Sequence, residues 1–202
     1  MTRVLILGAN GQIARVATDL FLAHPEVRLT LFARQAKRRL KFEGNPSVTI
    51  VEGDVLDAHA LDAVIPGHDV VYANLAGPLE QQARAIVKAM QDAGVHRLIF
   101  IGSMGIYDEV PGERHGSILD PYRKAAAAIE ASSLEYTLLR PAWLNNRDEI
   151  AYGTTQKGET FRASGESVSR KSVADLVVRL ATTPGMEIRH SLGVHKEVSG
   201  AR

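Results

Sequence analysis

Arg3-Val4-Leu5-Ile6-Leu7, running straight into Gly8-Ala9-Asn10-Gly11-Gln12-Ile13-Ala14, is the stretch that decides the fold. An apolar run of this length reads as a buried strand. It breaks at a glycine into a turn, and the residues that follow space their apolar side chains as a helix does, through Val16, Ala17, Leu20 and Phe21 to Ala23. A strand that turns on glycine and opens a helix points several unpaired backbone N–H groups at one place. The helix end there carries about half a positive charge, so an anion is held well. Gly8 allows the tight turn, Gly11 lets the backbone approach a pyrophosphate, and Ala14 keeps the helix close to the strand. A dinucleotide held by Gly8, Asn10, Gly11, Gln12 and Ile13 is therefore the expectation from this end of the chain. Such a turn used purely as a connection is the alternative.

Outward from this stretch, strand and helix signals alternate along the chain. His24-Pro25 stops the first helix, and Val27 to Phe32 reads as the second strand. In dinucleotide folds the tip of that strand meets the adenosine ribose: an acid there takes the 2′-hydroxyl, and an arginine takes a 2′-phosphate. No acid lies between Val27 and Lys41, and Arg34 stands at the tip. A guanidinium matches phosphate in a planar, bidentate way, so Arg34 is assigned to a 2′-phosphate. Arg38, four residues on, would help if both lie on one helix face; Lys37 and Arg39 read as a solvated basic face. This makes NADP(H) the expected cofactor, ahead of NAD(H).

Val48 to Val51 is a third strand, ending in Glu52-Gly53-Asp54-Val55. A carboxylate at this strand end could take the adenine amine, and Asp54 could equally cap the helix beginning near Asp57. Asp69 to Ala73 is a fourth strand, and the small residues of Asn74-Leu75-Ala76-Gly77 at its end would let backbone lie against a ribose, or simply turn the chain. A helix runs from Pro78 to Gly94, and Arg97 to Ile101 is a fifth strand. It ends in Gly102-Ser103-Met104-Gly105-Ile106-Tyr107, which puts Ser103 at the carboxyl end of a central strand, where open α/β sheets place their chemistry. An alanine-rich helix starts at Pro121-Tyr122-Arg123-Lys124, and the strand Glu135 to Leu139 leads into Arg140-Pro141-Ala142-Trp143. Ser172 and Asp175 are spaced as a capping box opening a helix to about Thr182. Residues near Ile188 to Val194 alternate as a final edge strand. His59, His68 and His96 have no partners at metal spacing and read as surface residues, so no metal is expected.

Composition narrows the functional classes. A chain of 202 residues with 45% apolar content suits one α/β domain over 1–202. A formal charge of +1 favours neither nucleic acid nor membrane as a partner. The lack of cysteine leaves no disulfide, thiol nucleophile or thiolate metal site, as suits a cytoplasmic protein. Nothing in the run before Arg3 reads as a signal peptide.

The glycine turn, Gly53-Asp54, Asn74 to Gly77, Ser103, and Tyr136-Thr137-Leu138-Leu139-Arg140-Pro141 fall in the order seen in the atypical short-chain dehydrogenase/reductases, and over residues 3–180 the chain resembles their NAD(P)H-binding, NmrA-like branch. The resemblance implies a Rossmann-like, doubly wound, mostly parallel sheet with a small C-terminal lobe. It also implies cofactor contacts from Pro141, Ala142 and Trp143, and a segment, 142–166, that closes over the nicotinamide and chooses the substrate. Active members of the wider family pair a serine with a tyrosine and with a lysine four residues after it. Tyr122 occupies the tyrosine position, but the residue four further on is Ala126; Lys124, two after it, lies about 200° round the helix. The catalytic candidates are therefore Ser103, Tyr122 without its lysine, and Tyr107, with packing or lining the substrate as the alternative role for both tyrosines. The expected activity is NADPH-dependent reduction of a small carbonyl, quinone or flavin-like acceptor. A non-catalytic sensor that binds NADP(H) and reports to a protein partner is the rival, and an isomerase or epimerase ranks last.

Overall fold

The computed structural model describes residues 1–42, 44–161 and 166–196. Strands β1 (Thr2–Leu7), β2 (Val27–Ala33), β3 (Val48–Glu52), β4 (Val70–Ala73), β5 (Arg97–Ile101), β6 (Glu135–Pro141), β10 (His190–His195) and β8 (Gly153–Gln156) form one eight-stranded sheet in the order β3-β2-β1-β4-β5-β6-β10-β8. All neighbours are parallel except β10 and β8. Strands buried on both faces must be apolar throughout, and Val4 to Leu7, Val70 to Ala73 and Leu98 to Phe100 are almost completely buried. The helices are α1 (Gln12–Phe21), α2 (Ala36–Arg39), α3 (Ala58–Val64), α4 (Leu79–Asp92), α5 (Asp120–Glu130) and α6 (Arg170–Thr182). One face of the sheet packs its side chains with those of α1 and α6, and the other with α3, α4 and α5. This is the doubly wound architecture expected. The strand order reverses between β1 and β4, so the crevice at the carboxyl ends of the strands opens there.

Three features differ from the sequence reading. The strand at the C-terminal end is not an edge: β10 lies between β6 and β8, and β8, from the segment 142–166, closes the sheet. Helix α6 starts earlier than Ser172. Its cap is Ser169, whose side chain accepts from the Ser172 amide, while Asp175 takes the Tyr152 hydroxyl at 2.8 Å. Finally, His68 is half-buried rather than a surface residue, with Nε2 2.8 Å from the Thr30 hydroxyl, and burial lowers its pKa. A group whose folded pKa lies below its unfolded one binds more protons when unfolded, so stability falls as pH drops through the unfolded value near 6.5. Urea unfolding should show a lower midpoint at pH 5.5 than at pH 7.5 (about a unit either side of that value), with a smaller difference in His68→Gln; an unchanged difference would sink this assignment.

The C-terminal lobe is small. Two short strands, β7 (Leu144–Asn145) and β9 (Val168–Ser169), pair in parallel, and the chain between Asn146 and Tyr152 is strapped to the start of α6. Ser169 Oγ and Ser172 Oγ both donate to the Glu149 carbonyl, and Lys171 reaches Asp148 at 2.5 Å. Part of the substrate-side segment, residues 162–165, lies outside the described residues.

Candidate functional site

The glycine turn sits where β1 feeds α1. The amides of Gly8 and Ala9 donate to the Phe32 carbonyl at 2.9 and 3.2 Å, and Gly11 donates to the Gly8 carbonyl at 2.9 Å, so the turn is closed on itself and tied to β2. Gly8 has φ +81°, and a Cβ there would stand 2.2 Å from the Asn74 carbonyl oxygen: this position requires glycine on both counts. Gly11 is extended, but a Cβ would come 2.3 Å from Asn74 Nδ2. Gly11 has no side chain to cap α1 and no acid lies in its first turn, so the helix's positive end stays open. Asn10 Nδ2 donates to the Arg34 carbonyl at 2.9 Å, bracing the turn against the tip of β2, and its buried Oδ1 has no partner.

Above this turn lies a cleft of about 760 Å³. Gly8, Asn10, Gly11, Gln12 and Ile13 form its floor; Arg34, Asp54 and Val55 line one end, and Asn74, Leu75 and Ala76 the side toward β4. Tyr122 lines it from α5. The structure thus brings these twelve of the sequence-derived candidates together around one space. Arg34 is exposed and stands 4.0 Å from Asp54, a loose pair that leaves its guanidinium available. Asp54 does not cap α3: Asp57 does, and Asp54 accepts from the Leu56 amide at 2.9 Å.

The remaining candidates lie elsewhere. Arg38 and Gly77 do not line the cleft, and Arg39 and Gln35 do. The reason is local. Gln35 adopts φ 54°, a left-handed conformation that breaks the helical phase, so α2 starts at Ala36 and offers Arg39, not Arg38, to the cleft. Ser103 donates to the Met104 carbonyl at 3.1 Å and is not a lining residue. Pro141 and Ala142 are buried, the Ala142 amide being spent on the Val194 carbonyl, and Trp143 is 64% exposed outside the cleft. Tyr107 is drawn away altogether. Its hydroxyl donates to Glu130 at 2.7 Å, Lys157 and Arg140 flank its ring at 4.3 and 5.0 Å, and burial raises its pKa. The cause is the loop that carries it. The amides of Gly105 and Tyr107 donate to Glu109, which pairs with Arg140, the buried arginine of the Leu-Arg-Pro strand end.

Tyr122 has no basic side chain of its own helix to assist it. Arg123 is occupied by the carbonyls of Ile106 and Gly116 and by Asp108 and Asp120, and Lys124 points to Glu80 at 3.9 Å. Ala126, in the lysine position, is buried.

Several further residues line the cleft; Gly53 belongs to the Gly53-Asp54 pair and Leu144 to the segment 142–166 already singled out, but Phe32, Gln82 and Arg170 carry no local sequence signal. Phe32 and Gly53 meet so closely that a Cβ on Gly53 would lie 2.5 Å from the ring. Gln82 reaches the cleft from α4, and Leu144 and Arg170 reach it from the C-terminal lobe. Only long-range folding brings these together. The basic run 37–39 was the one visible hint at Arg39.

A glycine turn closing a parallel-sheet crevice at the reversal of strand order, with an open helix N-terminus and an arginine at the tip of the second strand, defines a Rossmann-fold dinucleotide-binding protein. A family model described as NAD(P)H-binding matches residues 8–184, and the chain belongs to that family. It is 42% identical to a Rossmann-fold NAD(P)-binding family protein of known structure from Shigella flexneri, over 100% of this chain and 97% of that one, with a TM-score of 0.86. It is 28% identical to a short-chain dehydrogenase/reductase from Veillonella parvula solved in complex with NADP, over 96% of this chain and 94% of that one, with a TM-score of 0.88. Among curated proteins, an uncharacterized sugar epimerase of Bacillus subtilis, YhfK, is 27% identical across 87% of this chain and 86% of its own length. The relatives agree with the resemblance read from the motifs: an oxidoreductase-like family with the folds of reductases and epimerases. No helix among the described residues is long and apolar enough to cross a membrane.

Proposed function

We propose that the protein is an NADP(H)-dependent reductase that passes a hydride from NADPH to a small carbonyl, quinone or flavin-like acceptor. The observation that carries this is the charge at the adenosine end of the cleft. Arg34 and Arg39 line it, and Asp54 is the one carboxylate among the described lining residues. A 2′-phosphate satisfies two guanidinium groups there, and a bare 2′-hydroxyl does not. The Veillonella relative was solved with NADP, which supports the same choice. The bound cofactor supplies the hydride. The chain holds it by the turn, by α1 and by the two arginines, and Tyr122, the one tyrosine among the described lining residues, would give a proton to the reduced acceptor. A cytoplasmic location goes with this reading.

Arg34→Ala is expected to weaken NADPH binding by about 1.5–3 kcal/mol, the range for hydrogen bonds to a charged group, and to leave NADH nearly unchanged. Calorimetric titration with both cofactors is the check, and equal losses would remove the 2′-phosphate from this reading. Because Tyr122 lacks its lysine, Tyr122→Phe should lower turnover by less than about tenfold, or about 1.4 kcal/mol; a collapse would show that another cation activates it. The missing lysine also supports a second reading, a sensor that binds NADP(H) and signals to a protein partner. NADPH oxidation against a panel of quinones, flavins and aldehydes separates the two: tight binding with no turnover on any acceptor favours the sensor.

A further inference from the structure

Arg170 is the first residue of α6, and it is held in an unfavourable place. A helix N-terminus repels cations, and α6 carries Arg170 and Lys171 in its first turn with no acid. Lys171 has Asp148 as a counter-charge at 2.5 Å. Arg170 has only a neutral partner: its Nη1 donates to Asn146 Oδ1 at 2.9 Å, and no carboxylate among the described residues lies within ion-pairing distance. Its Nε is buried with no acceptor, although the side chain lines the dinucleotide cleft. A buried donor left unmade costs free energy in the empty protein, and more so on a charged group.

Residues lining the same cleft carry two further buried polar atoms with no partner, Asn10 Oδ1 at the turn and one on Gln82. Gln82, 8% exposed, donates through Nε2 to the Ala76 carbonyl at 3.2 Å, which leaves Oε1 as an unused acceptor. One wall therefore lacks an acceptor for a charged N–H, and another lacks a donor for an amide oxygen. A ligand carrying both anionic oxygens and hydroxyl groups satisfies the two together.

Position selects which anion. Helices α1 and α6 pack side by side on one face of the sheet, and both bury small or branched residues in the same core, Ala14 and Ala17 from α1 and Val173, Ala174 and Val177 from α6. Both follow the sheet downward from its carboxyl end, so the first turn of α6 stands beside that of α1, and Arg170 lines the same cleft as Gln12 and Ile13. The anion at the open end of α1 is the pyrophosphate. We infer that Arg170 is a pyrophosphate clamp, through which the C-terminal lobe grips either dinucleotide whatever its 2′ group, while Arg34 reads the 2′-phosphate. This rests on the reading that the cleft holds NADP(H), and it makes the lobe a part of the cofactor site as well as the substrate side.

The test is calorimetric titration of the parent, Arg170→Met and Arg170→Lys with NADP⁺, NAD⁺ and adenosine 2′-monophosphate, which has the 2′-phosphate but no phosphate on the 5′ oxygen. Arg170→Met should lose about tenfold or more in affinity for NADP⁺ and NAD⁺ by the same factor, and keep the affinity of the 2′-monophosphate. Arg170→Lys should recover part of the loss through its charge. Thermal unfolding without ligand should show Arg170→Met at least as stable as the parent, since it removes a repelled cation and an unmade donor. Unchanged dinucleotide affinity would overturn the clamp, and a raised KM for the acceptor alone would assign Arg170 to the substrate instead. A lower melting temperature with equal losses for all three ligands would overturn it in favour of a purely structural role. A parent that binds neither dinucleotide would remove the cofactor reading, and the clamp with it.

Discussion

Gly11→Val is expected to lose at least about a hundredfold in affinity for NADPH and NADH alike, about 2.8 kcal/mol, while unfolding close to the parent. The two glycines of the turn fail in different ways. At Gly11 the backbone is extended, which any residue adopts, and the atom a side chain meets is the end of the Asn74 amide, 2.3 Å away, which can swing aside. What it then fills is the floor of the cleft, where the pyrophosphate must approach the backbone. At Gly8 the obstacle is the Asn74 carbonyl oxygen at 2.2 Å, which is fixed by the sheet, and φ is +81°. Gly8→Ala should therefore lose about 2–5 kcal/mol of stability, combining strain with overpacking. Urea denaturation and cofactor titration of both variants give the contrast. Gly11→Val binding NADPH as the parent does would show that the turn is only a connection.

Arg140→Met should cost about 3–5 kcal/mol in urea unfolding, among the largest losses available to a single side chain here. Arg140 is wholly buried and pairs with Glu109; it also donates to the Ser191 hydroxyl and carbonyl and to the Thr155 carbonyl. It thereby joins β6, β10 and β8 to the loop that carries Tyr107. Removing it leaves the Glu109 carboxylate buried without a counter-charge. Glu109→Gln in the Arg140→Met background should restore part of the loss, because the amide carries no charge to desolvate, although its single oxygen can accept from only one of the Gly105 and Tyr107 amides that the two carboxylate oxygens take. A single-variant loss below about 1 kcal/mol would mean the pair is not what holds this loop.

Much of this was legible in the sequence because it is local. The strand-glycine-helix start, the alternation of apolar runs with amphipathic stretches, and the arginine at the tip of the second strand each depend on neighbours within a few residues. Backbone sterics and hydrophobic periodicity act at that range, so the alternating α/β pattern and the floor of the cleft followed from spacing, while the doubly wound order came with the family resemblance. The missing lysine was equally plain, since position 126 follows Tyr122 on the same helix.

Tertiary structure decided what depends on partners far along the chain. The exchange of Arg38 for Arg39 had a local cause, the left-handed Gln35, but one that no residue type in the run announces. A buried ion pair, Glu109 with Arg140, pulled Tyr107 away from the cleft, though it follows Ser103 by four residues. Gln82, Leu144 and Arg170 entered the site from three separate elements. The sequence by itself determined that this chain builds a Rossmann fold with a dinucleotide turn. Which side chains face that turn was left to packing, because a side chain's direction depends on backbone twist and on burial against residues that no local pattern specifies.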